Sequence, residues 1–193
     1  MEPAGPARLP RLTPGDLDED QRRVYDAVTG GERARIPGRV PLTGDDGALN
    51  GPFGVMLLAP GVGDALQQLG SRIRFGTALD GRVREAAILQ VARTLDSSFE
   101  WYAHVPAARA AGLTEAEISR IADGGLVGAS EAETAAADFC RVLLASPGVT
   151  DAEFAAVRRH LDDRQVTELT ALVGYYRLLA QLMAVYDVGA PRS

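Results

Sequence analysis

From Gly61 onward the chain keeps a helical period and never settles into strand alternation, which points to an all-α fold. Ala65, Leu66, Leu69, Ile73 and Leu79 form an apolar stripe at helical spacing. Val83, Ala86, Ala87, Leu89 and Val91 continue it on a second helix, apolar on nearly all sides and therefore expected to be buried. Four tetrapeptides, Ser97-x-x-Glu100, Thr114-x-x-Glu117, Ser130-x-x-Glu133 and Thr150-x-x-Glu153, fit the capping box. In that motif a hydroxyl accepts from the third helical amide and the glutamate reaches back. Gly112 and Gly124-Gly125 supply stops. A last helix over about 164–187, free of proline and dense in Leu, Val, Ala and Tyr, is expected to be the central core helix. The pattern gives about seven helices and no sheet.

Upstream the character changes. Residues 1–15 are rich in proline and glycine and are expected to form an extended or disordered arm, leaving 16–193 as one helical domain. A helix over about 18–28 stops at Gly30-Gly31. Residues 30–54 then carry seven glycines and three prolines, a density that forbids a long helix or a central strand. Loops of this length are often functional, and this one is expected to act as a lid.

Composition narrows the chemistry. All 20 basic residues are arginine, so Schiff-base chemistry, lysine-anchored pyridoxal phosphate and a P-loop lysine are excluded. Cys140 is the one cysteine, so no intrachain disulfide or cysteine-pair redox cycle exists within the chain. It lies between apolar neighbours and is expected to be a small core residue. With His104 and His160 as the two histidines, little material remains for a zinc site, and no metal or other cofactor is expected. The net charge of -6 with scattered arginines argues against a nucleic-acid surface. The most apolar stretch, 171–186, is broken by Arg177 and Gln181 and is too short and polar for a membrane span. No secretory signal opens the chain, so a cytoplasmic location is expected, and the arginine-only, alanine-rich usage points to a GC-rich bacterial genome.

Residues 84–104, REAAILQVARTLDSSFEWYAH, hold two carboxylates and an imidazole. Glu100 and His104 are four apart and share a helical face, where a carboxylate can fix the imidazole tautomer. Glu100 could instead complete the Ser97 capping box. Glu85 sits among apolar residues; pointing inward, it would have its pKa raised by desolvation, and pointing outward it would pair with Arg82 or Arg84. A buried glutamate beside a histidine makes an acid–base pair. His160, after Arg158-Arg159 near a helix end, suits a structural role at the helix dipole. Pro106 is expected to bend its helix just after His104.

The segment resembles the carboxymuconolactone decarboxylase and alkylhydroperoxidase-D-like family. Its redox branch carries a glutamate, a CxxC pair and a histidine, the histidine four residues after the second cysteine and nineteen after the glutamate. His104 takes the histidine position and Glu85 the glutamate position, while Ser97 and Glu100 stand where the two cysteines would be. Thiol-dependent peroxide reduction is therefore not expected. The likeness to the non-redox branch runs from about 51 to 188, through Gly51-Pro52-Phe53, Arg84-Glu85, Glu100-Trp101-x-x-His104, Gly112-Leu113 and Gly174-Tyr175-Tyr176. It implies an alkylhydroperoxidase-D-like helical bundle, assembled as a dimer, trimer or hexamer with sites near subunit contacts.

The resemblance also implies a cofactor-free, decarboxylase-like lyase acting on a small carboxylated or lactone substrate. His104 would give or take the proton, Glu85 would tune or relay it, and Glu100 would orient the ring. Arg84 or Arg74 would hold a substrate carboxylate by a bidentate contact. Phe53, Met56, Trp101, Tyr102 and Tyr175 are candidates for the pocket wall, with core packing as their alternative. The same groups suit a natural-product tailoring enzyme, whether dehydratase, isomerase or cyclase. A third reading is a non-catalytic oligomeric binding or scaffold protein on the same fold.

Overall fold

The computed structural model describes residues 7–35 and 40–191, and among these every regular element is helical. An isolated bridge between Thr43 and Leu49 is the one β contact in the described residues. Nine α-helices follow in order: α1 (Glu19–Gly30), α2 (Pro52–Met56), α3 (Pro60–Phe75), α4 (Gly81–Thr94), α5 (Ser98–Ala110), α6 (Glu115–Ala122), α7 (Glu131–Ala145), α8 (Asp151–Arg158) and α9 (Asp163–Val185). The count exceeds the roughly seven expected: the start of α8 is marked by the Thr150 capping motif, whereas α2, only 5 residues long, spans too few turns to show a periodic stripe.

The chain divides into two compact units, Met1–Ser71 with Gln181–Ser193, and Arg72–Ala180. In the first, the described part of the N-terminal arm is tied down. Arg11 forms a double contact with Asp46, and Thr13 makes a capping box with Asp16. Residues 1–6 of the arm lie outside the described residues. Asp18 caps α1 by accepting from the Gln21 amide, while the Gln21 side chain returns the bond. The glycine-rich 30–54 segment is not featureless. It holds a 3-10 turn (Glu32–Arg35), the Thr43–Leu49 bridge and the start of α2, and the Tyr25 hydroxyl donates to the Gly47 carbonyl. Residues 36–39 lie outside the described residues.

The second unit is organised on α4. Eight consecutive residues, Glu85 to Ala92, are buried, and α5, α6 and α7 pack on this helix. The central helix of this unit is thus α4. The last helix is buried on one side, through Val166, Leu169, Leu172, Val173, Tyr176 and Leu179, while Ala171, Gly174 and Leu178 are exposed. An apolar cluster of Ala86, Leu89, Ala108, Leu113, Ile118, Ile121 and Val127 knits α4, α5 and α6 together.

Four helix ends share one device, in which the amide of the second residue past the cap returns to a carbonyl five residues back; at the end of α9, Val188 donates to Met183 around Asp187 (φ 54°). At the end of α5, Leu113 donates to Ala108 around Gly112 (φ 93°), and after α6, Gly125 donates to Arg120 around Gly124 (φ 82°). After α4, Ser97 donates to Ala92 around Asp96, a non-glycine residue at φ 52°. That tight link folds α5 back on α4. Arg82, at the start of α4, reaches Glu117 at 2.6 Å and Glu133 at 3.1 Å, fastening the starts of α6 and α7 to it.

Candidate active site

The α4–α5 hairpin brings together residues nineteen apart. His104 Nδ1 lies 2.8 Å from Glu85 Oε2, and on the other side of the ring Nε2 lies 3.4 Å from Glu100 Oε2. All three side chains are buried, with Glu85 only 1% exposed. Glu85 carries two guanidiniums on its other oxygen, Arg84 Nε at 3.3 Å and Arg74 Nη1 at 3.7 Å.

These neighbours reverse one expectation. Burial does push the Glu85 carboxyl up, but the His104 hydrogen bond and the charges of His104, Arg74 and Arg84 outweigh it. The carboxyl comes down from 4.5 to about 2, so Glu85 is ionised at neutral pH and is not a reservoir of protons. An ionised Glu85 accepts from Nδ1, which fixes a proton there. Nε2 then faces Glu100. A bare nitrogen lone pair against a carboxylate would be repulsive, so one proton belongs to the Nε2–Glu100 pair, whichever atom carries it. With Arg74 and Arg84 alongside, the loaded cluster is net positive.

Glu100 does not complete a capping box. Ser97 makes no side-chain cap bond, whereas Thr114 and Thr150 form full boxes with Glu117 and Glu153, and Ser130 accepts from the Glu133 amide. Of the four capping-type tetrapeptides, the one at the site has its glutamate turned inward. Pro106 lies within α5, which continues through it to Ala110.

The remaining candidates are spread more widely. Arg74 and Arg84 converge on Glu85. Trp101 is half-buried against the α4–α6 cluster, and Tyr102 is 40% exposed and edge-on to Phe99. Phe53 and Met56 are buried in the first unit, where the Arg33 guanidinium lies over the Phe53 ring. Tyr175 is buried but stands one ring away, perpendicular to Tyr176. The ring that meets His104 is Tyr176, with centroids 5.2 Å apart and planes at 90°. Sequence reasoning passed over Tyr176. Its signal was the α9 stripe Val166, Leu169, Val173, Tyr176, Ala180, which places it at the middle of the buried side.

Cys140 is fully buried, and burial pushes its thiol up to about 12, which leaves it protonated and inert. His160 follows α8, 3.8 Å from Glu131. A cleft of about 820 Å³ lies between α7 and α8, and another of about 190 Å³ lies beside Gln90 and Leu144; neither is lined by His104.

Residues 60–141 match the family model described as the Carboxymuconolactone decarboxylase family. No curated protein matches the chain by sequence. Among solved structures, the chain is similar to an uncharacterised peroxidase-related protein with an alkylhydroperoxidase AhpD core from Ralstonia eutropha. The TM-score is 0.73 at 18% identity, over 98% of this chain and 95% of that one. It is also similar to a cysteine-to-alanine variant of the debrominase Bmp8 in complex with 2,3,4-tribromopyrrole, with TM-score 0.70 and 14% identity over 95% and 91% of the chains. A protein of unknown function from Agrobacterium tumefaciens, linked by its description to the antioxidant defence protein AhpD, gives 0.64 at 20% identity over 72% and 96%. Residues 60–141, which hold Glu85, Glu100 and His104, thus carry the carboxymuconolactone decarboxylase family pattern, and the chain has an AhpD-like all-α fold.

Proposed function

We propose that this protein is a cofactor-independent acid–base enzyme of the decarboxylase type, acting on a small carboxylated lactone or related carbonyl compound. The observation that carries the reading is one imidazole held between two buried carboxylates, one of them pinned in its ionised form by two arginines. In decarboxylation the bond to the carboxylate carbon breaks and its electron pair moves into a conjugated carbonyl. CO2 leaves, and the enolate carbon takes up one proton. The Nε2–Glu100 pair supplies that proton, and solvent restores it. Glu85 holds the ring and stabilises its charged form, and the net positive cluster favours an anionic substrate. A positioned acid–base group of this kind is worth about 10² to 10⁴ in rate.

Dehydration, isomerisation or ring closure would use the same proton array. The fold likeness to a debrominase solved in complex with 2,3,4-tribromopyrrole keeps such tailoring chemistry as the second reading. The proposal includes self-association, for which the exposed Tyr102 and Leu178 offer apolar surface.

The test is CO2 release from a panel of small γ-lactones bearing a carboxylate. The wild type should turn over at least one. His104→Gln should lose about 10² to 10⁴ in kcat with an unchanged circular dichroism spectrum. Full activity in that variant would end the acid–base reading. Turnover without CO2 release would move the assignment to a tailoring reaction. No turnover by the wild type, with no ligand density beside His104 in soaked crystals, would favour the binding-protein alternative.

A further inference from the structure

The Tyr176 ring stands edge-on to His104, and the reaction as written leaves it idle. It is 6% exposed, and its surroundings are charged: Arg74, Glu85 and Glu100 all act on it. Burial pushes its phenol far above the ordinary range, Arg74 opposing and the two carboxylates adding to the shift, so the group is a neutral O–H at neutral pH. A phenol O–H on a mostly buried ring among charged groups is a ready hydrogen-bond donor.

An acceptor exists in the reaction. When the substrate carboxylate departs, negative charge builds on the conjugated carbonyl oxygen. Of the groups around His104, Glu85 and Glu100 repel that charge, and Arg74 and Arg84 are engaged with Glu85. We propose that the Tyr176 hydroxyl is the donor to the developing enolate oxygen, which selects substrates whose carbonyl oxygen can come within hydrogen-bond reach of the phenol while the carbon to be protonated faces His104 Nε2. The inference rests on the acid–base reading above and adds a residue and a substrate geometry to it. No proton is transferred by Tyr176. It donates a hydrogen bond to the oxyanion and relaxes when carbon is protonated.

Tyr176→Phe keeps the ring against His104 and deletes only the O–H. On a carboxylated γ-lactone turned over by the wild type, kcat should fall about 10²-fold or more, with KM changed far less. A second readout needs no substrate. 4-Nitrophenol changes colour on ionisation, and its phenolate mimics an enolate oxygen. The wild type should bind the phenolate form, and Tyr176→Phe should bind it about tenfold or more weakly at an unchanged melting temperature. Equal phenolate affinity in the two proteins would overturn the assignment, as would a wild type that does not take up the phenolate. If His104→Gln abolishes turnover while Tyr176→Phe runs at full rate, only the role of Tyr176 fails. If His104→Gln itself runs at full rate, the underlying reading fails.

Discussion

Glu85 is a carboxylate with 1% of its surface exposed, yet it is more acidic than one in water. Burial alone predicts the opposite, which is why the sequence misleads here: it shows the apolar neighbours on α4 but not that Arg74 and Arg84 converge on one oxygen while His104 donates to the other. The consequence for stability has a definite sign. The folded-state value, about 2, lies below the ordinary 4.5, so the contribution is complete above about pH 4.5 and is lost as pH falls towards 2. Urea unfolding of the wild type should weaken across that window. Glu85→Gln, already uncharged, should be less stable at neutral pH and show a flatter acid limb. A variant with the same acid slope as the wild type would contradict this account of Glu85. The spacing of Glu85, Glu100 and His104 was legible in the residues. Tyr176 was not singled out, because two adjacent tyrosines differ only in helical phase, and phase decides a contact only once the partner helix is placed.

At the level of elements, the capping motifs divide by what their glutamate does. Thr114→Ala and Thr150→Ala should each cost about 1 kcal/mol, since both hydroxyls accept from a helical amide. Ser97→Ala should change stability by less than about 0.5 kcal/mol, because Ser97 makes no such bond. Chemical denaturation of the three variants checks the contrast. The same tetrapeptide pattern therefore announces a cap in three places and a carboxylate turned towards His104 in the fourth. The difference lies in tertiary surroundings, as α4 offers Glu100 an imidazole. The α4–α5 link gives a second test. Asp96 occupies a left-handed conformation that glycine fills after α5 and α6. Asp96→Gly should be neutral to stabilising, by up to about 1 kcal/mol, whereas Asp96→Val should cost more than 1 kcal/mol. Loss of stability in the glycine variant would show that the aspartate side chain, not the backbone turn, holds the hairpin.

On the scale of the whole molecule, the all-α architecture followed from periodicity; α8 was marked only by its capping motif, and the five-residue α2 was beyond reach. Among the described residues no helix is long and apolar enough to cross a membrane. Six of the side chains discussed for chemistry, Arg74, Arg84, Glu85, Glu100, His104 and Tyr176, fall in one compact unit, Arg72–Ala180. Light scattering coupled to gel filtration should report a dimer or larger species. A monomer at micromolar concentration would remove self-association from the proposal without touching the proton array.

The array itself can be read directly, because the chain has only two histidines and nitrogen-15 histidine labelling yields two ring systems. At neutral pH, His104 should show a protonated, hydrogen-bonded Nδ1 that stays protonated while the protein is folded. Exchange and titration should be confined to Nε2, and Glu100→Gln should shift Nε2 with little effect on Nδ1. A bare Nδ1 facing Glu85, with the proton fixed on Nε2, would contradict the account.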